Sequence, residues 1–184
     1  MQVTHENTPN PATLKFNFSA KICSGQHDFP NVESTDTSPL AAKVFGFPWV
    51  SAVFIGENFV TITKQDWVDW QVLANPLSGL LAEHITSGTA VIVERPKGAD
   101  TDANINENDS PIVKQIKKVI QDEIRPIVAL DGGDVVFSKY ENTKLYIQMK
   151  GACKGCPSSE ATLKDGIEVR MRQAIPEITE VLAV

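Results

Sequence analysis

Residues 95–109 constrain the fold most. Arg95-Pro96-Lys97-Gly98-Ala99-Asp100 and the run on to Asp109 hold one large apolar side chain, Ile105. Such a stretch cannot bury enough surface to offset its ordering entropy, so a flexible acidic linker is expected there. At roughly 5–6 Å times the square root of its length it reaches about 20 Å on average. The 184-residue chain is thereby divided into 1–94 and 110–184. The expected class is α+β, as two small mixed α/β domains.

Charge follows the same division. Residues 1–100 hold 6 basic and 10 acidic side chains, residues 101–109 none and 3, and residues 110–184 hold 11 and 10. No segment is basic enough to attract a nucleic-acid backbone, and the near-neutral second half favours self-association. Apolar content of 42% is that of a globular chain, and no apolar run approaches the twenty or so residues of a membrane span. Met1 to Phe16 has no apolar signal core and no arginine, so bacterial cytoplasm is the expected location, ahead of a processed mitochondrial matrix form.

The second half reads as helix, hairpin, helix, strand, the order αββαβ. Ser110 caps and Pro111 begins a helix whose expected core face is Ile112, Ile116, Val119, Ile120, Ile124 and Ile127. Pro126 removes a donor and is expected to kink its last turn. Gly132 and Gly133 end it. Val135 to Tyr140 and Lys144 to Lys150 follow as strands around Glu141-Asn142-Thr143, with Leu145, Ile147 and Met149 on the buried face. The second helix opens at Pro157 with Leu163, Ile167, Met171, Ala174 and Ile175 inward. Pro176 stops it, and Ile178 to Val184 closes as a strand.

The first half also mixes elements. Leu14 to Phe18 reads as a strand, Ser38 to Phe45 as a short capped helix, and Trp49 to Ile55 with Phe59 to Thr63 as a hairpin around Gly56-Glu57-Asn58. Asp66 is expected to cap a helix bearing Trp67, Trp70, Leu73 and Ala74, continuing or restarting after Pro76. Ala90 to Val93 is expected to end the domain as a strand. No catalytic constellation stands out here. Cys23 and His27 have ligand-like spacing but no further ligands nearby, and a solitary thiol and a surface imidazole explain them better.

Chemistry concentrates in Gly151-Ala152-Cys153-Lys154-Gly155-Cys156-Pro157. The C-x-x-C spacing puts Cys153 and Cys156 within reach of one metal centre or of each other. The helix opening at Pro157 would lower the pKa of thiols at its N-terminus and favour thiolate, which is both nucleophile and soft-metal ligand. Four thiolates complete an iron–sulfur or all-cysteine zinc site. One chain supplies two at close spacing, with Cys23 remote in sequence, so two chains related by a two-fold axis would complete it.

Leu130-Asp131-Gly132-Gly133-Asp134-Val135, followed about twenty residues on by the cysteine motif, resembles the C-terminal domain of NifU-like (Nfu-type) proteins. Thr8-Pro9-Asn10-Pro11-Ala12-Thr13-Leu14-Lys15-Phe16, Ser38-Pro39-Leu40-Ala41 and Val53 to Lys64 resemble the N-terminal domain of the two-domain branch. The resemblance implies a non-enzymatic scaffold or carrier. It would hold a [4Fe-4S] cluster between the Cys153 and Cys156 pairs of a homodimer, receive it from upstream assembly proteins and pass it to apo iron–sulfur proteins. The residues alone also permit a thiol oxidoreductase and a zinc-bridged structural dimer. An antiparallel hairpin before the pair, instead of a parallel βαβ setting, speaks against the oxidoreductase.

Overall fold

The computed structural model describes residues 2–93, 109–154 and 157–184. The chain divides into two compact units, Met1–Pro96 and Lys97–Val184. Both mix helices and sheet, in the α+β class. The expected linker lies almost wholly outside the described residues.

The N-terminal unit is built on β1 (Val3–Asn7), β2 (Thr13–Phe18), β3 (His27–Phe29), β4 (Val50–Ile55) and β5 (Phe59–Lys64), in the spatial order β1-β2-β5-β4-β3. Every pairing is antiparallel. The β4–β5 hairpin and β2 match the sequence pattern. The pattern does not reveal β1 or β3: β1 is polar and mostly exposed, and β3 is three residues long, so neither carries a hydrophobic alternation to read. Helix α1 (Pro39–Phe45) starts as expected, with the Ser38 hydroxyl accepting from the Ala41 amide at 3.0 Å and donating to the Val91 carbonyl at 2.7 Å. Phe16, Leu40, Val53, Ile62, Leu77 and Leu81 lie in one buried core.

Two expectations for this unit fail. Helix α2 (Trp70–Thr86) is capped by Asp69, whose carboxylate accepts from the Gln71 amide at 3.0 Å; Asp66 and Trp67 precede it. A reverse turn in which the Val68 amide meets the Gln65 carbonyl occupies those residues, leaving Trp67 exposed. The helix runs through Pro76 because the carbonyl that loses its donor, that of Val72, is on the exposed side. Ala90 to Val93 is not a strand. Val91 and Val93 are tied to the start of α1 by single hydrogen bonds, from Ser38 and to the Thr37 carbonyl.

In the C-terminal unit, α3 (Pro111–Val119) leads through a π-turn at Ile120–Ile124 into α4 (Arg125–Leu130). Then come β6 (Gly133–Glu141), β7 (Lys144–Gly151), α5 (Pro157–Ala174) and β8 (Glu180–Ala183), with β7 central in the sheet. The Asn142-Thr143 turn has positive φ at both residues, as a two-residue hairpin of matching twist requires. The expected kink takes the form of the π-turn. Pro126 cannot donate to Asp122, and the Arg125 amide reaches back to the Ile120 carbonyl instead. The extra residue advances the helical face by about 100°. Val128 therefore takes the inward place, while Ile127, expected in the core, is 60% exposed.

Candidate iron–sulfur site

The cysteine loop is set by where β7 ends. Gly133, the first residue of β6, pairs with Gly151, the last of β7, so the start of one strand and the end of the other meet at one edge of the sheet. Gly151 has φ of +64°, a left-handed turn that frees the chain to leave the ladder. The Ala152 amide donates to the Gly132 carbonyl at 3.2 Å, and the Lys154 amide to the Gly151 carbonyl at 3.1 Å. These bonds hold the loop against the Asp131–Asp134 segment. Helix α5 follows at Pro157, as the sequence suggests.

Cys153 is buried within the unit's core, alongside Val135, Met149 and Ile167. Its sulfur sits where the side chain of Gly133 would be. A Cβ on Gly133 would collide with Cys153 Sγ, lie 2.7 Å from the Lys150 carbonyl oxygen and 3.1 Å from the Cys153 amide nitrogen. The two glycines thus have different roles. Gly132 supplies a φ of +80° at the end of α4, and Gly133 supplies room for the sulfur. The sequence shows the pair as a turn; only the close approach separates the second glycine's purpose.

Electrostatics at Cys153 depart from expectation. Burial first, then the carboxylates of Asp131 and Asp134, push its thiol up to about 12. Helix N-terminal stabilisation does not prevail, because in this packing the sulfur lies among apolar side chains with anions nearby. A redox nucleophile and a metal ligand both act as thiolate, so either use of Cys153 has to overcome this environment. Topology counts against a thiol oxidoreductase less than the sequence suggests. The β6–β7 hairpin is antiparallel, but β7 and β8 run parallel around α5, so the cysteine loop sits inside a βαβ crossover. Cys156 lies outside the described residues.

Asp134 holds the segment beneath the loop. It is 2% exposed and takes a two-point contact from Arg125, Nη2 to Oδ2 at 2.6 Å and Nε to Oδ1 at 2.7 Å. Arg125 Nη1 also donates to Gln121 Oε1 at 2.9 Å. The guanidinium fork matches the carboxylate and pins α4 to the first turn of β6. From sequence, Asp134 passes for a strand-edge residue with no visible partner. The π-turn places Arg125 against it, and Pro126 is the trace of that turn in the sequence.

Cys23 and His27 behave as structural residues. The Cys23 thiol donates to the Gly56 carbonyl at 3.2 Å, and His27 Nε2 lies 2.9 Å from the Ser24 carbonyl. Burial, followed by Glu57, raises the Cys23 thiol to about 11. Among the described residues no three His, Cys, Asp or Glu side chains gather at metal-binding distance, and no helix is long and apolar enough to cross a membrane.

Residues 116–182 match the model of the NifU-like domain, and residues 3–88 that of the scaffold protein Nfu/NifU N-terminal domain. This chain belongs to the NifU-like family, in its two-domain form. It is 37% identical over 183 residues to the NFU1 iron-sulfur cluster scaffold homolog, mitochondrial, of Drosophila ananassae, covering 98% of this chain and 63% of that protein. It is 37% identical to NifU-like protein 4, mitochondrial, of Arabidopsis thaliana, covering 97% and 64%. The chain therefore spans a little under two thirds of these relatives' lengths. The solution structure of a NifU-like protein from Saccharomyces cerevisiae aligns with 52% of this chain and 87% of its own at 26% identity, with a TM-score of 0.45.

These relatives correct one expectation. Both are mitochondrial proteins by name, which overturns the bacterial cytoplasm inferred from Met1 to Phe16. The physical reason is in the fold. Val3–Asn7 and Thr13–Phe18 are paired strands, so their composition reflects the needs of a sheet and does not decide a location.

Proposed function

We propose that this NifU-like chain is an iron–sulfur cluster scaffold and carrier. It holds a [4Fe-4S] cluster between Cys153 and Cys156 of two copies and hands it to apo iron–sulfur proteins. Membership of the family carries the reading, together with a cysteine pair at the β7–α5 loop of the matched domain. Two thiolates per chain account for half of a four-thiolate site, so a homodimer bridged by the cluster completes it. Residues 110–184 form the cluster-binding domain, 1–94 the domain that selects acceptors or stabilises the carrier, and 95–109 the linker.

The cluster is cargo, and the chemistry is ligand exchange. Each sulfur binds as thiolate, so loading releases its proton. Hand-over replaces the carrier's thiolates, one at a time, by those of the acceptor. Cluster and dimer are linked by mass action, so departure of the cargo separates the copies. No bond-making or bond-breaking catalysis is assigned to a side chain, and upstream assembly proteins supply the cluster.

Anaerobic reconstitution tests this. Iron and sulfide counting should give one four-iron cluster per dimer with broad visible absorption, whereas zinc would leave the dimer colourless. The loaded dimer is then mixed with an apo [4Fe-4S] enzyme in the presence of a chelator. Activity recovered faster than with free iron and sulfide supports hand-over. Activation abolished by the chelator means that the cluster disassembles first and overturns the carrier reading.

A further inference from the structure

Helix α4 carries two large apolar side chains out of the core. Ile127 is 60% exposed and Leu130 is 72% exposed. At a spacing of three they share one face of the helix. Their exposure follows from the π-turn at Ile120–Ile124, which brings Val128 inward in place of Ile127. Single-turn insertions of this kind are frequent at functional sites. The one charged side chain of α4, Arg125, is engaged by buried Asp134, so no charge on this helix offsets the apolar pair.

The position of this face identifies its occupant. Leu130 immediately precedes the Asp131–Gly133 segment, whose Gly132 carbonyl holds the Ala152 amide and whose Gly133 packs on Cys153. The apolar pair and the cysteine loop therefore belong to the same end of the sheet, where β6 starts and β7 stops. A cluster shared by two copies lies on their two-fold axis, and surfaces close to the ligand loop are brought against their own mates. The near-neutral charge of residues 110–184, 11 basic against 10 acidic, adds no repulsion.

We infer that Ile127 and Leu130 meet the same residues of a second copy, forming the apolar contact that flanks the shared cluster. The inference rests on the proposed function, and it names the surface through which the site is completed. It also accounts for both exposed side chains with one partner, the copy whose thiolates the cluster requires.

The test is sedimentation velocity of the full chain after anaerobic loading, with visible absorption recorded on the same boundary. The wild type should sediment as a coloured dimer. Ile127→Glu with Leu130→Glu should weaken dimerisation at least tenfold and lower the colour per chain in step, with circular dichroism and melting unchanged because both sites are exposed. Ile127→Ser with Leu130→Ser gives the same reading without added charge, should the first pair misfold. A double variant that forms the wild-type coloured dimer overturns the inference. So does one that keeps the dimer but delivers its cluster tenfold more slowly, since the face would then serve the acceptor. A wild type that binds a full cluster as a monomer refutes the proposed function itself and is distinguishable from both.

Discussion

The two units use one device for different ends. In the N-terminal unit, a Cβ on Gly56 would enter the ring of Phe59, approaching Cζ to 2.6 Å. In the C-terminal unit, a Cβ on Gly133 would enter the sulfur of Cys153 and crowd the Lys150 carbonyl. Both glycines exist for close approach. The first lets an aromatic ring cover a hairpin; the second lets a thiol be stored beneath a loop. Their cores differ accordingly. Phe16, Phe18, Phe29 and Trp49 fill the first, whereas the second is aliphatic with Cys153, Met149 and Met171.

The largest effect expected is on cargo. Cys153→Ser and Cys156→Ser should each abolish the visible absorption of the reconstituted protein, whereas Cys23→Ser should retain it. Loss of colour in a folded Cys23→Ser protein would erase the contrast between the thiols and refute the ligand assignment.

Stability should separate the units next. Phe16 is fully buried, and Phe16→Ala should cost about 3–5 kcal/mol. Asp134→Ala removes the two-point carboxylate partner of Arg125 and should cost about 3 kcal/mol, near the low end for a buried pair because Arg125 keeps Gln121 and some contact with water. The three tryptophans, Trp49, Trp67 and Trp70, all lie in the N-terminal unit, and the two tyrosines, Tyr140 and Tyr146, in the other. Urea unfolding followed by tryptophan emission should therefore shift for Phe16→Ala and hold for Asp134→Ala, while tyrosine emission does the reverse. A tryptophan transition that moves with Asp134→Ala would show that the units unfold together.

Glycine substitutions sharpen the comparison at smaller scale. Gly133→Ala should destabilise the C-terminal unit by about 1–3 kcal/mol, as overpacking does, and perturb the reactivity of Cys153 toward a thiol reagent. Gly166, inside α5, has open space within 4 Å of where a Cβ would stand. Gly166→Ala should therefore stabilise by roughly 0.5–1 kcal/mol through helix propensity alone. Thermal denaturation of the two variants should move in opposite directions. Equal shifts would remove the claim that Gly133 is there for the sulfur.

Much of this is legible in the residues. Ser38-Pro39 and Ser110-Pro111 mark helix starts because a hydroxyl cap and a pre-set φ act within one turn. The alternation in Lys144 to Lys150 marks a half-buried strand, and Leu145, Ile147 and Met149 are indeed inside. Other elements have no such local code. β1 is held by its backbone pairing with β2 and shows almost no buried face, and α2 begins at Asp69 because an upstream turn takes Asp66 and Trp67 first.

The sequence by itself determined the two-domain order, the caps of α1 and α3, the hairpins and the motif that signals the family, because each depends on residues within a turn or two of one another. Tertiary structure alone decided the sign of the shift at Cys153, the space that Gly133 reserves for its sulfur, the Arg125–Asp134 lock and the outward face of Ile127 and Leu130. Those depend on what the chain brings together across the sheet. Desolvation and steric exclusion act over distances set by packing, and a sequence records residue spacing without the packing that closes it.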